Sequence, residues 1–198
     1  VLSRTERTTL RRRAGRGADA VVFDDVLAAC LTGVVSVVVD DAPRALPTTF
    51  VRVGDEVFVH GAAKNGLLTA AIGRPVCFTA FVVDGLVFAK SAAHHSMNYR
   101  CVVAFGEGRR VDDLAEKARV LAALLEKMRP GRSAEARAPT DAELAATTVV
   151  ALSLNEASAK QRAGPPVDDE ADQGFPTWAG VAPVVMQTGP VEGTTAEP

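Results

Sequence analysis

Histidines carry the sharpest chemical possibilities in this chain: His60, His94 and His95 are the 3 it contains. His60 closes the apolar run Val57-Phe58-Val59 just before Gly61. It reads as a strand-end imidazole that either caps backbone groups or acts on a bound ligand. His94 and His95 are adjacent, and neighbours on an extended strand point to opposite faces, so the pair is not expected to grip one ion. Cys30, Cys77 and Cys101 show no CxxC spacing, and no metal site is expected. Each cysteine lies in an apolar run and reads as a small buried hydrophobe in a reducing compartment.

Five further positions are candidates. Lys64 and Asn65 stand near the start of an expected helix, where free N–H groups, the helix dipole and an ammonium together favour an anion; the competing reading is a solvated lysine. Asn98 and Arg100 fall on one face of an extended strand, with Tyr99 and Cys101 on the other. An amide beside a guanidinium can grip a phosphate, and the competing reading for Arg100 is a rim salt bridge. Trp178 is the 1 tryptophan of a chain only 5% aromatic, and is expected at a pocket or an interface. There is no Ser-His-Asp triad and no paired-carboxylate site. The acidic run Asp168-Asp169-Glu170 with Asp172 reads as a solvated loop.

The elements that must position these residues are mostly strands. Asp19 is expected to cap a helix over 19–30, with Val22, Val26 and Leu27 inward and Gly33 ending it. Strands are expected over 34–39, 46–53 and 57–60, with turns at Asp40-Asp41-Ala42-Pro43 and Gly54-Asp55. A helix over 62–72 follows. Two strands, 76–83 and 86–89, are expected to form a hairpin about Asp84-Gly85, and another strand runs over 98–105. Asp113, with Glu116 as its capping-box partner, begins a helix whose apolar stripe is Leu114, Ala115, Ala118, Leu121, Ala122, Leu125 and Met128. A short helix over 141–146 leads into a last strand, 147–155. Antiparallel meanders of this length close into barrels, which removes exposed edges.

Composition fits one globular domain: 198 residues, 47% hydrophobic, 23% charged, with 22 basic against 24 acidic residues and a net charge of -2. That balance gives no pull toward nucleic acid or anionic lipid. The apolar stretch 21–39 is interrupted by Asp24 and Asp25 and is too polar to span a membrane. No secretory signal stands in the arginine-rich start, so a cytoplasmic protein is expected. The organisation expected is a basic exposed arm over 1–18, a single domain over 19–185 and a mobile tail over 186–198.

The stretch Lys90-Ser91-Ala92-Ala93-His94-His95-Ser96-Met97-Asn98-Tyr99-Arg100-Cys101-Val102-Val103 resembles a branch of the pyridoxamine 5'-phosphate oxidase-related flavin-binding family, near its nitroimidazole-resistance-like members. Val57-Phe58-Val59-His60-Gly61, Gly73-Arg74-Pro75-Val76-Cys77-Phe78-Thr79, Ala159-Lys160-Gln161-Arg162 and Trp178-Ala179-Gly180-Val181-Ala182-Pro183 are similar to its other motifs in order and spacing. The resemblance implies an α+β, mainly β chain: an FMN-binding split β-barrel of about six or seven antiparallel strands with peripheral helices. It further implies FMN as cofactor, a homodimer with the flavin sites at the subunit interface, and a small-molecule substrate. Thr48, Thr49, His60, Gly61, Lys64, Asn65, His95, Ser96, Asn98, Arg100 and Trp178 are the implied cofactor contacts. Where the oxidase carries Ser/Thr and consecutive basic residues, this chain has Lys64-Asn65-Gly66. An FMN-dependent oxidoreductase working by hydride transfer at flavin N5 is the function implied; the alternative is a non-enzymatic flavin or haem carrier.

Overall fold

The computed structural model describes residues 5–10 and 14–193. Its strands are β1 (Gly17–Ala18), β2 (Thr32–Val39), β3 (Ala42–Val53), β4 (Glu56–Ala62), β5 (Pro75–Phe88), β6 (Ser96–Glu107), β7 (Arg109–Arg110), β8 (Thr147–Ser153), β9 (Glu156–Arg162) and β10 (Gly180–Pro183). Its helices are α1 (Ala20–Ala29), α2 (Gly66–Ala71), α3 (Leu114–Met128), α4 (Arg132–Glu135) and α5 (Asp141–Ala145). The strands form one sheet in the order β1-β9-β6-β5-β2-β3-β4-β8-β7, with β10 added to β5. The split-barrel class holds, and at 10 strands the sheet is larger than the six or seven expected. None of the described helices is long and apolar enough to cross a membrane.

Two compact units emerge, Val1–Val82 with Arg100–Arg162 and Val83–Tyr99 with Ala163–Pro198. In the first, local turn chemistry sets the register. Asp40 and Asp41 take φ of 51° and 57°, which closes β2 on β3 at the pair Val39 and Ala42. Gly54, at φ 62°, closes β3 on β4 at Val53 and Glu56. From there the two-residue period sorts the side chains. Phe50, Val57, Val59, Val150 and Leu152 point to one core with α1 and α2, whereas Val51, Phe58, Val149 and Ala151 point to another, covered by α3. Phe50 meets Phe78 edge-on at 4.9 Å between ring centroids. The cavity left among Val35, Val57, Val76, Phe78 and their neighbours is about 10 Å³. That is space for a single water at most, so this core holds no ring-sized ligand.

The expected caps form. Asp19 accepts from the backbone N–H groups of Val21 and Val22, and Val26 and Leu27 are buried, joined by Phe23. Asp113 accepts from the Glu116 N–H at 2.8 Å, but the Glu116 carboxylate pairs with Arg109 and does not complete the box. The reciprocal box belongs to Thr140 and Glu143 at α5.

Other expectations fail for reasons of packing. Gly33 does not end α1; it lies in β2 opposite Thr48, where a Cβ would come within 2.5 Å of the Phe78 ring. The inward face of α3 is Lys117, Val120 and Leu124, while Leu114 and Met128 are exposed. Two lysines cause this rotation. Lys117 is buried and donates to the carbonyls of Leu144 and Thr147 at 3.0 and 2.8 Å. Lys127 donates to the Leu27 carbonyl at 2.9 Å and sets its ammonium 3.5 Å from the centre of the Phe50 ring. An apolar-stripe reading skips lysines whose stems are apolar and whose heads find carbonyls. Residues 5–10 are not an open arm: Thr8 is buried, and Thr5 and Arg7 both bind the Glu156 carboxylate. The rest of the expected arm, residues 1–4 and 11–13, lies outside the described residues, as does the end of the expected tail, 194–198.

In the second unit the expected hairpin at Asp84-Gly85 is absent. β5 runs straight through it because β10 pairs there, Gly85 opposite Pro183 and Phe88 opposite Gly180. A Cβ on Gly85 would lie 2.9 Å from Val181 Cγ1, so the glycine serves close strand approach and not a turn.

Candidate functional site

In the first unit, β4 carries His60 beside Val149 of β8, and the chain turns at Ala63 and Lys64 into α2. Ala63 N–H is tied to the Ala146 carbonyl at 2.9 Å, which fixes that turn against the end of α5. Asn65 is the N-cap of α2, its side chain accepting from Leu68 N–H at 3.1 Å. The packing on Gly61 is close: a Cβ there would stand 3.0 Å from both Asn65 Nδ2 and Leu68 Cδ1. α2 is shorter than the expected 62–72 span, only 6 residues, so its dipole is small and the anion-binding case rests on the exposed Lys64.

His60 is half-buried, and its Nδ1 is enclosed with no hydrogen-bond partner. Burial pushes its pKa below the usual imidazole range, so the ring is neutral near pH 7. An orphaned polar atom in a core-lining strand is costly, about 1–3 kcal/mol, and needs a reason to persist. Thr48 and Thr49 are half-buried on β3, opposite Gly33 and Thr32. Arg100, also half-buried, lies on β6 close enough to Cys30 to act on its thiol, which burial pushes up and the Lys127 and Arg100 charges pull down.

In the second unit, Phe88 meets two other rings, His95 at 6.0 Å and 89° and Trp178 at 5.0 Å and 54°. His95 is exposed and its Nδ1 lies 3.0 Å from the Ser91 carbonyl, which makes Nδ1 the donor and leaves Nε2 as the acceptor of the neutral ring. Ser96 is exposed at the start of β6, and Asn98 donates to the Gly164 carbonyl at 3.1 Å. Trp178 is 69% exposed. Phe88 is the member that sequence reasoning missed; the one signal for it is its place at the end of an apolar strand. Asp168 was missed too. Its side chain is 5% exposed, not solvated, and accepts from the N–H groups of Lys90 and Ser91 at 2.8 and 3.1 Å.

Each group can do something definite. Phe88 and Trp178 offer aromatic surface to a flat conjugated ligand, and Lys64, Asn65 and Arg100 are cations and an amide whose chemistry suits an anionic one. His60 is a neutral imidazole without a partner.

The sequence profile described as pyridoxamine 5'-phosphate oxidase matches residues 19–161. The flavocytochrome Anf3 from Azotobacter vinelandii superposes with a TM-score of 0.90 at 35% identity, covering 96% of this chain and 90% of that one. The FAD and haem binding protein from Mycobacterium smegmatis superposes with a TM-score of 0.86 at 34% identity, covering 91% and 89%. A putative 5-nitroimidazole antibiotic resistance protein from Bacteroides thetaiotaomicron, with a TM-score of 0.60 and 16% identity over 72% of this chain and 84% of that one, shares the fold. No curated protein matches the sequence.

Proposed function

Because the chain belongs to the pyridoxamine 5'-phosphate oxidase family, we propose that it binds a flavin and serves as a flavin-dependent oxidoreductase. The observation that carries this reading is its likeness, above one third identity and along nine-tenths of its length, to a protein named as a flavocytochrome. A bound flavin supplies hydride or single-electron exchange, which needs no dedicated acid or base from the protein. The chain's own task is to hold and orient it. In the first unit Thr48, Thr49, Gly61, Lys64, Asn65 and Arg100 are the proposed contacts; in the second they are His95, Ser96, Asn98, Trp178 and, added by the structure, Phe88.

FMN is what the resemblance implied, and the chain has no Gly-rich dinucleotide turn. That absence bears only on FAD held in the Rossmann manner. The Mycobacterium smegmatis relative is named for FAD, and we favour FAD on that support. The same name mentions haem, and His60 favours a second reading in which the protein carries haem as well. A neutral imidazole is the form that ligates iron, and burial keeps His60 neutral near pH 7.

Absorbance of the purified protein, with and without added FAD, FMN and haem, tests all of this. Flavin bands near the usual positions are expected, with tighter calorimetric binding of FAD than of FMN. Binding of neither flavin overturns the proposal; a Soret band that His60→Ala abolishes establishes the haem reading.

A further inference from the structure

Within the second unit, two short 3-10 turns face each other: Ala92–His94, and Glu170–Asp172 with Asp169 as its N-cap. His94, Asp169 and Asp172 each offer a ligand atom, and these atoms all lie within 4.8 Å of one another. His94 Nε2 is 3.8 Å from Asp169 Oδ2. On the other side of the ring, Nδ1 is enclosed, has no hydrogen-bond partner, and stands 3.9 Å from Asp168 Oδ1. We propose that His94, Asp169 and Asp172 bind a divalent cation of the zinc class, with the Asp168 carboxylate behind the histidine.

The scaffold for this set is built without the ion. Asp168 fastens its loop to the Lys90 and Ser91 N–H groups, and Gln173 Nε2 donates to the Asp168 carbonyl at 3.2 Å. The Lys90 ammonium is committed to the Phe175 carbonyl at 3.0 Å and to that of Gln173. The acids at 168, 169, 170 and 172 gather on this loop, and a cation among them offsets their mutual repulsion.

Donor chemistry selects the ion. One imidazole with two carboxylates suits borderline divalent transition ions, while calcium and magnesium prefer all-oxygen sets. Zinc takes nitrogen and oxygen ligands at about 2.0–2.2 Å, so binding draws these groups together by roughly 1 Å, and water completes the shell. As Nε2 takes the ion, the Nδ1–H turns its bond toward Asp168, an arrangement that fixes the tautomer and raises ligand basicity. His95 has no part in the set: its Nδ1 is engaged with Ser91, and the partners of His94 come from a loop some seventy-five positions on (about 75, from 94 to 169). Bound there, the ion ties the 168–172 loop to the turn that precedes β6.

The test is calorimetric titration of the full chain with Zn²⁺ after EDTA treatment and dialysis. One saturable equivalent is expected, weakened about 10-fold or more in His94→Ala and in Asp172→Asn, and retained in His95→Ala. Asp169→Asn, at a side chain 78% exposed, gives the same weakening without risk to the fold. Absence of saturable binding overturns the proposal, as does wild-type affinity in both His94→Ala and Asp169→Asn. Ca²⁺ binding as tight as Zn²⁺ overturns the choice of cation.

Discussion

Trp178 rests on Phe88 with ring centroids 5.0 Å apart, yet 69% of the tryptophan remains open to water. Nearby in sequence, Phe175, Val184, Val185 and Met186 are exposed as well. An aromatic packed on one side and bare on the other, within an apolar segment, is what a subunit contact leaves on an isolated chain. The expected outcome is a two-fold dimer. Light scattering at micromolar concentration should give twice the chain mass, and Trp178→Ser with Phe175→Ser should shift it toward the monomer. A wild-type monomer with flavin bound refutes the dimer.

Lys127 gives a pH signature. Burial pushes its pKa down to about 8, against the ordinary 10.5. Between those values the unfolded chain binds more protons than the folded one, so this group makes stability rise with pH across that window. Cys30 acts oppositely: burial raises its thiol pKa, so its contribution is lost as pH climbs above the ordinary thiol value of 9.0. Urea midpoints should therefore increase from pH 7 to pH 9 in the wild type. In Lys127→Met that increase should vanish. A wild-type midpoint that is flat or falling over this range contradicts the buried ammonium.

Local chemistry was legible in the sequence; long-range packing was not. Asp19, Asp113, Asp40-Asp41 and Gly54 act within a few residues of themselves, and each makes the cap or turn that its type predicts, although the Asp113 box stays half-made because Glu116 turns to Arg109. Asp84-Gly85 fails because β10, almost a hundred residues on (about 98 from Gly85 to Pro183), arrives to pair with it. Gly33 fails because the Phe78 ring, from a different strand, needs the space of a Cβ. Lys117 and Lys127 turn α3 by making contacts that no hydrophobic pattern records. For the candidate site, the sequence named the strand-end His60 and the sole tryptophan, while Phe88 and Asp168 owe their places to partners far along the chain, Trp178 for the one and Lys90 and Ser91 for the other.

Gly108 tests the junction below α2. Its N–H donates to the Arg74 carbonyl at 3.2 Å, and its carbonyl accepts from Gly73 N–H at 2.8 Å. A Cβ there would overlap the Ala71 carbonyl oxygen, and backbone has no rotamer by which to move aside. Gly108→Ala should cost about 1–3 kcal/mol, at the upper end of that range, in chemical denaturation. Gly174→Ala, where a Cβ meets nothing within 4 Å, should change stability little. Equal midpoints for wild type and Gly108→Ala would show that the strand approach is looser than described.

Arg100 decides whether the proposed flavin contacts on β6 are real. If its guanidinium meets the flavin's phosphate or the anionic edge of the ring, Arg100→Ala removes a charge-assisted hydrogen bond from a partly enclosed site. Such bonds contribute about 1.5–3 kcal/mol, so flavin affinity should fall about 10- to 100-fold. Arg100→Lys should recover only part of the loss, because an ammonium cannot reproduce the planar fork. Arg110 is the control: it is exposed, and its guanidinium pairs with Asp112 at 2.7 Å, so Arg110→Ala should bind flavin as the wild type does. Calorimetry with flavin and thermal melts of the apo protein separate the two roles. Should Arg100→Ala bind flavin normally while its melting temperature drops sharply, Arg100 is a structural ion-pair residue, and the anionic end of the cofactor must be held elsewhere.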